Sequence, residues 1–203
     1  MSDRLSSAAG IYRDWIALYV PVAAMLLGVS TAVGFALGSA VPVETLPTAT
    51  DGGSNPFFPA ELTTTSIALN NLTAMFVMLL GAVSLGIVSV FGLVLNGLLI
   101  GAVVGIALQE VPAVVILALL VPHGVLEIPA LLLVAAVGLR FGRLTVRYLR
   151  GLEAELVTER LLREAGVLVA VATVLILVAA YIEANVTLQV AERVAGGPIG
   201  VEP

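Results

Sequence analysis

Apolar runs of about 20 residues, the length an α-helix needs to cross a hydrocarbon core of roughly 30 Å, recur along this chain and dictate what it can become. They cover about 15–40, 63–90, 93–108, 112–139 and 165–183 of 203 residues. In lipid every backbone polar group must bond within the protein, so only helices and closed barrels can span. Long alternating runs of the barrel type do not occur, which leaves an all-α polytopic bundle of about five transmembrane helices. The whole chain, 1–203, then forms one integral membrane domain. With 60% hydrophobic and 11% charged residues and a mean hydropathy of +1.12, little is left for a soluble domain.

Topology follows from the charges. Arg4 and Arg13 precede Trp15 and Tyr19, aromatics suited to anchoring a helix at the membrane interface. This start resembles a signal peptide ending at Gly38-Ser39-Ala40, but the apolar run exceeds an h-region of about 7–15 residues, so an uncleaved first helix is expected. Residues 41–62 carry Pro42, Pro47, Pro56, Pro59 and the Asp51–Asn55 turn cluster, with acids but no arginine. They read as an extracytoplasmic loop in which Phe57 and Phe58 dip into the interface. Residues 140–164 read as a cytoplasmic arginine-rich helix. Five crossings with the N-terminus in the cytoplasm and the C-terminus outside leave only Arg193 of the nine arginines outside, as a multi-pass protein of the cell membrane requires. Arg140, Arg143, Arg147 and Arg150 share a helix face. They suit a topology anchor, or a docking surface for anionic lipid or a partner. Glu159 and Arg163 make an i, i+4 pair.

Other classes are excluded. A net charge of -5 and a pI near 4.8 argue against nucleic acid. Cysteine is absent, so disulfides and thiolate chemistry are ruled out. No Gly-x-Ser-x-Gly, phosphate loop or HExxH sequence supports catalysis, so no catalytic residue, cofactor or metal is assigned. The lipid bilayer is the one partner composition names, and an oligomer is compatible with the sequence.

Small residues mark close packing. Gly34 and Gly38 form a small-xxx-small pair in the first span, and Gly97, Gly101 and Gly105 recur every four residues in the third. Such grooves let another backbone approach. The second and third spans are divided by little more than Phe91-Gly92.

The fourth run holds the sole histidine and a glutamate, His123 and Glu127, deep in apolar sequence. Ionisable groups in hydrocarbon are costly and often functional. The run is 28 residues, roughly 42 Å as a helix, and must tilt or break. Pro122 and Gly124 predict a kink or unwound turn at 121–124. On a helix restarting there, His123 and Glu127 face the same way. Their expected partners are each other and the intramembrane amides Asn70, Asn71 and Asn96. The element then serves as a satisfied network fixing helix register, or as a site of proton or ion handling at the membrane midplane. Two protein ligands are too few for a zinc site.

Pro122-His123-Gly124, followed by Glu127, Ala130 and a later Gly138, is similar to the Pro-His-Gly-x-x-Glu signature of the stage II sporulation protein M family. Asn70-Asn71, Gly81, Gly86, Asn96-Gly97 and Gly101 resemble that family's upstream pattern in the same order. The resemblance covers about 66–142. It implies a multi-pass membrane protein. In endospore formers the namesake is a scaffold that localises extracytoplasmic peptidoglycan hydrolases, and relatives also occur in organisms that do not sporulate. A non-catalytic scaffold or accessory subunit, with other membrane or extracytoplasmic proteins as partners, is therefore expected. A small transporter or channel subunit using the His-Glu pair is the alternative.

Overall fold

A computed structural model describes residues 10–42 and 63–197, so the expected loop at 43–62, with Phe57 and Phe58, lies outside the described residues. Among the described residues every regular element is helical. Helix α1 is Tyr12–Ser39, its first five residues wound as a π turn. Helix α2 is Thr64–Leu79, extended by a 3-10 turn to Ala82. Helices α3, Ile87–Ala107, and α4, Ala113–Leu149, follow. Helix α5, Glu159–Ile182, continues through a π turn at Glu183–Thr187 into α6, Leu188–Ala195. Five helical stretches are long and apolar enough to cross a membrane.

All five expose large apolar side chains around the perimeter, among them Met25, Phe76, Phe91, Leu117 and Val174. An apolar surface of that extent needs lipid or protein against it. The core joins all five stretches through Leu27, Met78, Leu93, Val134 and Ile176.

The turn between the second and third spans lies at 83–86, earlier than Phe91-Gly92. Gly86 donates its N–H to the Gly81 carbonyl at 2.8 Å, and Leu85 and Gly86 adopt positive φ of 57° and 86°. Gly92 is instead a packing position inside α3, where a Cβ would meet the Met78 side chain. At the start of α2, Thr63 and Ser66 bond each other's backbone N–H at 3.1 and 3.0 Å, a reciprocal cap.

Helix α4 is not broken at 121–124. It runs through both Pro122 and Pro129 for 37 residues, about 55 Å at 1.5 Å per residue. Nor is 140–164 a separate helix. Its first part, to Leu149, is the end of α4, residues 150–158 are non-helical, and Thr158 caps α5 by accepting the Leu161 N–H at 3.2 Å.

The glycines occupy places where backbones touch. A Cβ on Gly34 or Gly38 would meet the backbone of Leu98 or Ala102. A Cβ on Gly97, Gly101 or Gly105 would meet that of Leu27, Thr31 or Phe35. The two glycine patterns are thus opposite sides of one seam, along which α1 and α3 run parallel. Elsewhere, Ser89 is fully buried and donates to the Met78 carbonyl at 2.8 Å, and a Cβ on Gly81 or Gly138 would meet its hydroxyl. That point knots α2, α3 and α4 together.

Candidate functional site

Two polar clusters sit at opposite ends of the bundle. The first grows from the His123–Glu127 pair, one turn apart on α4. Glu183, on the π turn that follows α5, joins them, and one ligand-type atom from each residue lies within 4.8 Å of the other two. A π turn inserts one extra residue and rotates the following side chains, a distortion common at functional sites. Nδ1 of His123 is buried without a hydrogen-bond partner, and no salt bridge among the described residues reaches Glu127 or Glu183.

Two residues beyond Glu183, the Asn185 amide donates to the Thr64 hydroxyl at 3.2 Å, in the first turn of α2. The trio therefore lies toward the end of the bundle where α2 begins. The expected amide partners do not reach it. Asn96 donates to the Gly92 carbonyl of its own helix at 2.8 Å. Asn70 is exposed, Asn71 half-buried, and among the described residues neither bonds His123 or Glu127 through its side chain. Pro122 and Gly124 flank the histidine within unbroken helix, and a Cβ on Gly124 would meet nothing within 4 Å.

The second cluster was not legible as a site. Glu164 on α5 is 3% exposed and accepts from Trp15 Nε1 and Arg160 Nε, each at 2.7 Å. Arg140 lies with its guanidinium 4.1 Å from the centroid of the Trp15 ring and with Nη1 3.9 Å from Glu164. Asp14 stands 3.5 Å from Arg160 and 4.0 Å from Arg140. Phe141 packs tilted against the indole at 6.1 Å between centroids. The start of α1, the end of α4 and the start of α5 are thereby tied by alternating charges around one aromatic ring. Removing Glu164 or Arg140, its most buried members, leaves a charge short of its partner, at a cost of up to about 3–5 kcal/mol.

The four-arginine face is divided by this arrangement. Arg140 is turned into the protein, Arg143 reaches the Tyr19 hydroxyl at 3.4 Å, and Arg147 pairs with Glu153 at 2.7 Å. Arg150 is exposed. The i, i+4 pair is made by Arg160 and Glu164 instead of Glu159 and Arg163. A signal for Glu164 did exist in the sequence. Leu161, Ala165 and Leu168 share its face and are buried, so a glutamate among them had to be paired. Glu183 gave no such signal, because the π turn alters the helical spacing on which its placement depends.

The sequence profile described as stage II sporulation protein M matches residues 19–188, a stretch that contains both the His123–Glu127–Glu183 trio and Arg140 with Glu164. Over 127 residues the chain is 34% identical to an uncharacterized protein of Methanocaldococcus jannaschii, covering 62% of this chain and 71% of the relative. No solved structure matches. The match over most of the chain, together with the five apolar helices and the Pro122–Glu127 signature, makes this protein a member of the stage II sporulation protein M family.

Proposed function

We propose that the protein is a non-catalytic scaffold or accessory subunit of a membrane complex, resident in the cell membrane with its N-terminus cytoplasmic and its C-terminus outside. One observation carries the reading. Helix α4, about 55 Å long, exceeds a core of roughly 30 Å. Its end is braced by the Trp15–Arg140–Glu164 network and leads into a charged loop bearing Arg150, Glu153 and Glu155. A braced, charged helix end suits docking of a partner or anionic lipid through Arg143, Arg147 and Arg150. The arginine count supports the orientation. The test is cross-linking and pull-down from native membranes, comparing the wild type with an Arg147→Glu, Arg150→Glu variant. A partner held by the wild type and lost from the folded variant supports docking. Identical recovery from both would remove this surface from the reading.

The second reading is a small transporter or channel subunit, favoured by Glu183 completing a three-residue ionisable cluster. Wild type and Glu127→Gln protein in liposomes separate the two. Proton or ion flux lost in the variant supports transport, whereas negligible flux from both leaves scaffolding.

A further inference from the structure

The sequence supplies two ligands in His123 and Glu127, too few for a zinc-type site. Folding supplies the third. Glu183 is 56 residues beyond Glu127 in the chain and is brought back by the antiparallel packing of α5 on α4. Its π turn sets the carboxylate beside the other two.

Charge makes the trio demanding. Two carboxylates and an imidazole stand within 4.8 Å, each side chain half-buried, in helices that face lipid. Like charges at that distance in a medium poorer than water repel strongly. Four of the nine arginines are committed at the far end, and Arg193 on α6 makes no ion pair among the described residues. Arg13, Arg140, Arg147 and Arg160 pair with acids at the other end of the bundle, and no salt bridge among the described residues involves Glu127 or Glu183. The His123 ring also keeps a buried nitrogen without a hydrogen-bond partner, so it has a lone pair or a proton to commit.

We propose that His123, Glu127 and Glu183 form a binding site for one divalent first-row cation, which staples α4 to the π turn after α5. The donor set defines the class. Imidazole suits zinc, iron and related ions, carboxylate oxygens extend the range to manganese, and no thiolate is present to select a softer metal. Bonds of about 2.0–2.2 Å to three such ligands bring the donor atoms to roughly 3.3 Å from one another. That contraction from within 4.8 Å is within the reach of two glutamate side chains rotating about their own torsions. One coordination position remains for water or for a group from a partner, because the protein offers three ligands. The cation neutralises both carboxylates at once, which a single shared proton does not.

The test uses the full chain in detergent or nanodiscs, stripped with chelator, loaded with Zn²⁺ and desalted. About one zinc per chain by elemental analysis is expected, with a melting temperature raised by several degrees and returned by chelator, as binding to the folded state alone requires. Glu183→Gln and His123→Ala should each reduce retention to background, while Glu110→Gln, an exposed carboxylate elsewhere, should retain the metal. Folded wild type that retains neither Zn²⁺ nor Mn²⁺ and shows no chelator-sensitive shift would overturn the site. So would undiminished retention by folded Glu183→Gln. Should the variants fail to fold, Co²⁺ titration of the wild type decides. Visible bands of a mixed nitrogen and oxygen site support it, and a spectrum of free aqueous ion refutes it.

Discussion

Trp15 and Glu164 show how one hydrogen bond can organise the charges around it. The indole N–H donates to Glu164, while the indole face receives Arg140, so the same side chain serves an anion at its edge and a cation on its surface. Trp15→Phe leaves an aromatic face for Arg140 but is smaller than indole and removes the donor. We predict a loss of about 1–3 kcal/mol, the cost of leaving a buried acceptor short of a partner. Glu164→Gln should cost more, up to about 3–5 kcal/mol, because the half-enclosed Arg140 keeps only the more distant Asp14 as its anion. Reversible unfolding in mixed micelles measures both. The two changes share a partner, so their effects should combine less than additively. None of this was visible as a contact in the sequence, where the residues stand 149 positions apart. The Arg140 to Arg150 face was visible, but a face seen in isolation does not show that its first member turns inward.

At the scale of the helices, glycines divide into those that admit a neighbouring backbone and those that do not. Gly101 meets the α1 backbone at Thr31 and Phe35, and Gly138 meets Ser89, whereas Gly124 has open space where a Cβ would stand. Gly101→Leu should therefore force α1 from α3, with loss of monodisperse folded protein on size exclusion. Gly138→Ala should also destabilise, since Ser89 is fully buried and bonded to Met78. Gly124→Ala should be neutral or stabilising by up to about 1 kcal/mol, because alanine holds a helix better and displaces nothing. A Gly124→Ala protein less stable than Gly138→Ala would contradict this division. The four-residue spacings of α1 and α3 were readable in the sequence as grooves, though not as mates. Phe91-Gly92 has the composition of a break, whereas the chain reverses at 83–86 through two positive-φ residues, one of them the leucine at 85. Of the kink and the unwound turn that Pro122 admits in sequence, the helix rules out the unwound turn by running on through Pro122 and Pro129. A proline in sequence signals a missing donor, and neighbouring helices decide whether the helix bends, stops or continues.

For the whole molecule, the absence of native cysteine makes orientation directly testable. Glu155→Cys and Gln109→Cys lie at opposite ends of the bundle, in the segment after α4 and in the turn between α3 and α4. We predict that an impermeant thiol reagent added to intact cells labels Gln109→Cys and spares Glu155→Cys until the membrane is opened. The reverse pattern would invert the proposed topology. Five helices long and apolar enough to cross a membrane and the His-Glu turn were legible from sequence because apolar length and i, i+4 spacing are local properties. The third ionisable member and the aromatic clasp were not, because each needs two helices in register.

The parallel seam between α1 and α3 bears on how the protein is made. Two parallel neighbours cannot be adjacent in the chain, so a returning helix must come between them, and α2 instead packs against α3, α4 and α5. Helix α1 must wait for α3 before its glycine face is covered. Asn185 and Glu183 arrive later still, with α5. The order of synthesis thus differs from the order of packing. A chain interrupted after α2 would leave a sticky glycine groove open to the translocation machinery or to another nascent copy.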